Sequence, residues 1–245
     1  NYFSFGNCII EKSSKTLIAG CKSSVIPSDG SVTSIGDEAF IGCSGLKNIS
    51  IPNSVTSIGK FAFSSCSGLE SIELTDNVVN IGNNAFQLCS SLTSFTMPKN
   101  IKEISASMFS QCSSLSSVTI PEGVISIGSW AFAMCDSLIT IAIPKSVTSL
   151  GQFAFAVCSN LQSITISENV ETIENAAFHN CVKLTEVIID SSSIAALESS
   201  GYGLLLNAKN VYVKTGLTVG KYITDNFSKQ DGSDNEGYDK YLKKS

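Results

Sequence analysis

Nine cysteines, one histidine and twenty-one carboxylates are the side chains of this 245-residue sequence that could do covalent, acid-base or metal chemistry. Seven of the cysteines, Cys43, Cys66, Cys89, Cys112, Cys135, Cys158 and Cys181, recur every 23 residues. A thiolate metal site needs ligands that converge on a point with CxxC-like spacing. Single thiols one repeat apart offer no such point, and an odd number of them at one repeat position is no disulfide framework. They are expected to be reduced and buried as small hydrophobes. Cys21 is expected to open the column and Cys8 to stand outside it. His179 shares its repeat position with Ala156, Ala133, Ser110, Gln87, Ser64 and Ile41, which marks an exposed spacer and not a base. No GxSxG elbow, P-loop or GxGxxG stretch occurs. Glu168, Glu171 and Glu174 share a coil but lack the positioned cleft that a glycosidase pair requires. The tail DGSDNEGYDKY has the composition of a calcium loop, yet its sixth position is Glu236 where that loop demands glycine. The sequence thus assigns no catalytic, cofactor-binding or metal-ligating residue.

What remains is hydrogen bonding. Short stretches such as Leu69 to Leu74 alternate apolar and polar residues, the period-two pattern of a half-buried strand. Their outward positions form a hydroxyl-rich series: Ser71 and Glu73, Ser94 and Thr96, Ser117 and Thr119, Thr140, then Ser163 and Thr165. Small hydroxylated residues suit a crowded parallel sheet, but such a grid on a rigid face could also hold a protein edge or a glycan. Trp130 and Phe153 share another repeat position and form a second candidate contact patch, either exposed or packed half-buried against the neighbouring turn.

The elements that must position these groups follow from one repeated 23-residue phrase, VTSIGKFAFSSCSGLESIELTDN at Val55 to Asn77, written seven times without insertion over residues 32–192. A fixed short period implies a solenoid whose coils bury their apolar sides only by stacking. Phe40, Phe63, Phe86, Phe109, Phe132, Phe155 and Phe178 should form a stacked spine. Gly36, Gly59, Gly82, Gly128 and Gly151 should let the backbone turn, with Ser105 and Glu174 as departures. Pro52, Pro98, Pro121 and Pro144 should close the strands. Successive strands should build one parallel sheet on the concave side. Residues 1–31 read as a hairpin cap, CIIE and TLIAG about a KSSK turn, followed by an abbreviated first repeat. Residues 193–245 read as an α/β C-terminal cap, with a strand at Val211–Val213, a helix from Thr218 through Phe227 and a last strand in GYDKYLKK.

The phrasing LxxIxIPxxVTxIGxxAFxxC, as in Leu46 to Cys66 and Leu138 to Cys158, resembles the BspA-like, Treponema pallidum-type leucine-rich repeats. That resemblance implies a right-handed, β-rich leucine-rich-repeat solenoid. It also implies a secreted or cell-surface protein linked to adhesion, without enzymatic residues on its repeats.

Composition narrows the partners. The formal net charge is -5, and Lys and Arg form no stripe, which speaks against nucleic acid. Apolar runs are too short for membrane insertion. The partner expected is a protein or a glycan, bound by a monomer from which any signal sequence before Asn1 has been removed. The alternative is a structural spacer that displays another domain.

Overall fold

The computed structural model describes residues 1–190, 208–214, 226–230 and 238–244. Across residues 32–190 the chain winds into coils of constant length, and every pairing between neighbouring coils has a 23-residue offset. Asn48 pairs with Ser71, Ser94 with Ser117, Thr140 with Ser163, and Ser163 with Glu186. All of these ladders are parallel, as identical units stacked in the same sense must be.

Each coil contributes two strands. The VTSIG segment forms a two-residue strand, giving a short ladder from Ser34–Ile35 through Ser57–Ile58 to Asn80–Ile81, and another from Glu103–Ile104 to Thr172–Ile173. The second ladder, expected as one continuous sheet, is divided into three. Asn48–Ser50 pairs with Ser71–Glu73, and Ser94–Thr96 with Ser117–Thr119. The third sheet starts at Thr140–Ile141 and runs through Ser163–Ile166 to Glu186–Ile189. Strands of two or three residues carry so few ladder bonds that losing one ends the pairing.

Between the strands, the turn KFAFSSC satisfies its backbone in two directions. Alternate N–H groups donate to the next coil, as Phe61 to Asn83 O, Phe63 to Ala85 O and Ser65 to Gln87 O. The intervening ones close tight turns within the coil, as Ser64 to Phe61 O and Cys66 to Phe63 O. Such complete pairing is what lets a buried non-strand segment recur in every coil.

The geometry puts two residues per turn in the left-handed region. One column is Glu38, Phe61, Asn84, Ser107, Trp130, Phe153 and Ala176, and the other includes Ser65, Leu88, Gln111, Met134, Val157 and Asn180. None of the repeat glycines expected to supply the turn has a positive φ there. Gly59 instead marks close approach: a Cβ on it would lie 2.5 Å from Asp37 N and 2.7 Å from Gly36 C. Where the glycine is absent, the side chain is used. Ser105 Oγ donates to Ile81 O at 2.5 Å, and Glu174 Oε2 accepts from Gln152 N at 2.8 Å.

The spine is as expected. All seven phenylalanines are fully buried, and adjacent rings stack with centroids 5.0–5.7 Å apart and planes 5–12° apart. Phe95, an aromatic at an aliphatic strand position, leans edge-on against Phe109 at 4.7 Å. The prolines lie just beyond the strands, where the missing N–H is not needed and the carbonyl accepts from a residue three later, as Pro52 O does from Val55 N at 3.0 Å.

At the N-terminus, an additional strand β1 (Tyr2–Phe5) pairs antiparallel with β2 (Cys8–Glu11), and β2 with β3 (Thr16–Ala19). β3 then joins the short ladder in parallel, Leu17 against Ile35. Gly20 covers the end of the spine. Its N–H bonds to Ala39 O at 2.8 Å, and a Cβ there would sit 2.1 Å from the Phe40 ring.

At the other end, Asn210–Lys214 adds a parallel strand to Glu186–Ile189, and Tyr238–Lys243 returns antiparallel beside it, so both expected strands form. Of the expected helix, Asn226 is helical, Phe227 instead opens the strand Phe227–Lys229 paired with Tyr238–Lys243, and residues 215–225 lie outside the described ones. Tyr238 donates to Asp190, and that bond raises its phenol to about 12.

Candidate binding surface

The long-strand ladder fixes the hydroxyl grid. Strand alternation turns Leu, Ile, Val and Phe inward and leaves Ser71, Glu73, Ser94, Thr96, Ser117, Thr119 and Thr140 exposed to solvent. Where neighbouring strands pair, the register sets Ser94 beside Ser117, Thr96 beside Thr119, and Ser71 beside Asn48. Side chains in one column are therefore about 4.8 Å apart, and those two residues along a strand about 6.7 Å. Among the described residues none of these seven side chains has a hydrogen-bond or ion-pair partner within the protein. By contrast, hydroxyls elsewhere in the coils are used internally, such as Ser116 Oγ on Thr93 O at 3.1 Å and Ser146 Oγ on Val124 O at 2.7 Å.

The grid has an end. Ser163 and Thr165 are half-buried, because the neighbouring strand substitutes Glu186 and Ile188 for the small pair and the next adds Tyr212. Glu168 beyond them is held by Lys145 at 3.2 Å and Lys214 at 3.7 Å, and the Lys145 ammonium keeps its carboxyl below the usual range. At the near edge Lys47 pairs with Glu70 at 2.7 Å, both well exposed.

Trp130 and Phe153 are brought together, with centroids 4.3 Å apart and planes at 25°. Trp130 remains 38% exposed while Phe153 is half-buried, so the pair is a partly covered stack and not a flat patch. His179 is exposed, with its ring edge toward Phe153 at 6.2 Å.

The cysteine column is free of disulfides, and Cys66 to Cys181 are buried. Each of these six thiols donates to the carbonyl of a spine phenylalanine 26 residues earlier, at 3.0–3.3 Å, from Cys66 on Phe40 O to Cys181 on Phe155 O. Burial pushes Cys66 and Cys112 up to about 12. Cys43 repeats the contact loosely, at 3.7 Å to Gly20 O. Cys21 lies near enough to Cys43 to act on its thiol, but it is only half-buried, and its Sγ meets Ser23 Oγ at 3.4 Å where the later thiols meet a spine carbonyl. No group of three potential metal ligands occurs among the described residues, and residues 231–237 of the acidic tail lie outside them. A shallow depression of about 490 Å³ between Gln162, Val182, Lys183, Thr185 and Lys209, which nothing in the sequence pattern signalled, lies where the last coils meet the cap.

A stack of short parallel coils, with an exposed polar face and no group of three metal-ligating residue types among the described residues, is a repeat scaffold. The chain belongs to the BspA-type leucine-rich repeat family, whose model matches in six copies over residues 9–137 and 79–203. Among solved structures, the leucine-rich repeat protein of Treponema pallidum is similar at 26% identity, over 82% of this chain and 93% of that one, with a TM-score of 0.49. One from Bacteroides ovatus is 24% identical over 87% and 74% of the two chains, TM-score 0.48. A leucine-rich cell surface protein of Faecalibacterium prausnitzii is 20% identical over 83% and 94%, TM-score 0.42. No curated protein matches the chain. No helix among the described residues is long and apolar enough to cross a membrane.

Proposed function

We propose that the chain is a non-catalytic binding module, displayed at the cell surface or secreted, that recognises a protein or glycan through the face carrying Ser71, Glu73, Ser94, Thr96, Ser117, Thr119 and Thr140. The observation that carries this reading is the register of exposed hydroxyls with no side-chain partner among the described residues. A hydroxyl-rich face with one carboxylate, Glu73, held by a stacked core loses little entropy on binding, so many weak bonds can add up. The family resemblance supports extracellular placement.

Glycan and matrix-protein arrays test the reading, with the double variant Thr119→Arg, Thr140→Arg as control. Two long cations at the centre of the grid should abolish any signal, and binding that survives them rules this face out. The continuous spine also favours a second reading, a stiff spacer for another domain. In that case the unmodified chain gives no array signal at all.

A further inference from the structure

Apart from the hydroxyl face, we propose that the turn of the fourth full coil holds a binding slot for one sugar ring, walled by Trp130. The centroid separation of Trp130 and Phe153, 4.3 Å, is close to the coil rise of about 4.8 Å, and the planes are near parallel. The rings therefore lie across the solenoid axis. Phe153 covers one face of the indole, and the other looks along the axis toward the preceding coil. There the same left-handed position holds Ser107, and one coil further on Asn84. A full side chain is missing from the stack at Ser107. The gap spans two coil rises, about 9.6 Å between the planes of Asn84 and Trp130 before their own thickness is removed, which leaves room for one ring.

The second left-handed column continues the slot. Leu88 and Met134, both about one-third exposed, extend its two walls on either side of Gln111. Ser107 Oγ and the Gln111 carboxamide form its floor, and neither has a side-chain partner among the described residues. The Asn84 amide is held in place, donating to Gln87 Oε1 at 3.1 Å. No charged residue occurs in the three successive turns 82–88, 105–111 and 128–134. An aromatic face, apolar walls and a neutral hydroxyl-and-amide floor match a pyranose, which offers a C–H face for stacking and hydroxyls at its rim. A phosphorylated or carboxylated ligand would find no cation here.

Trp130 is the only tryptophan, so its fluorescence reports the surroundings of this one residue. Titration with cellotriose, maltotriose and N,N′,N″-triacetylchitotriose should give a saturable change with at least one of them. Ser107→Phe should fill the slot and weaken that response by up to roughly tenfold, the worth of one stacking contact. Phe61 and Phe153 show that this backbone position accepts the ring, so the melting temperature should hold. The slot is refuted if none of the three sugars produces a saturable change, or if Ser107→Phe leaves the response intact. A response to N-acetyltyrosinamide with none to the sugars also overturns it, and points to a peptide aromatic. Thr119→Arg with Thr140→Arg should leave the fluorescence response unchanged, which separates this site from the hydroxyl face.

Discussion

Truncating Phe109 to alanine removes the centre of the aromatic column. The ring is fully buried, stacks on Phe86 at 5.7 Å and Phe132 at 5.4 Å, and takes the edge of Phe95 at 4.7 Å. Transfer of the ring contributes about 1.5–3 kcal/mol, and its ring contacts add about 0.5–1.5 kcal/mol each. With partial collapse of the cavity the expected cost is about 3–5 kcal/mol. Phe40 gives an internal comparison, because it is equally buried but stacks on only one ring, Phe63 at 5.0 Å, with Gly20 on its other side. With two fewer ring contacts, Phe40→Ala should therefore cost about 1–3 kcal/mol less than Phe109→Ala. Urea unfolding followed by circular dichroism measures both. In a nearest-neighbour array the central truncation should also broaden the transition by uncoupling the two halves, whereas the terminal one should not. Equal costs for the two variants, or a loss below about 1 kcal/mol for Phe109→Ala, would refute the stacked-column account.

In native buffer an aromatic disulfide reagent should titrate Cys21 first, whose thiol is lowered by hydrogen bonds from Ser23 and Ser24, and reach all nine thiols only after denaturation. Cys66 and Cys112 are raised from an ordinary 9.0 to about 12 by burial, so their contribution is intact below pH 9 and lost as pH rises toward 12. Urea midpoints measured at about pH 8 and about pH 10.5 should fall more steeply for the native chain than for Cys66→Ala with Cys112→Ala; parallel slopes would contradict this. Gly59→Ala places a methyl against the Asp37 backbone and should cost on the order of 2 kcal/mol in thermal melts, despite the ordinary φ. Ser54 Oγ is buried without a partner, while Asn77 at the same position of the next coil donates to Asn53 O at 2.8 Å. Ser54→Asn should therefore gain about 1 kcal/mol in the same melts.

The sequence alone determined the coil. A 23-residue period that puts phenylalanine, cysteine and leucine at constant positions can bury them only in columns, because like residues of stacked identical units must lie one above another. The spine, the buried thiols, the outward hydroxyls and the opening hairpin were all legible for that reason. Only the tertiary structure decided what each column touches. The glycines follow the distance between coils and not their own dihedrals, so a reading of local turn preference misassigned them. The thiols find carbonyls 26 residues away, a bond that local sequence does not display. Cys21 sits beside Cys43 yet meets Ser23 where the later thiols meet a spine carbonyl, and Phe227 joins a strand because the cap offers it a sheet edge. The open face of Trp130 depends on Ser107 being small one coil below, a relation across coils that becomes a space only once they are stacked.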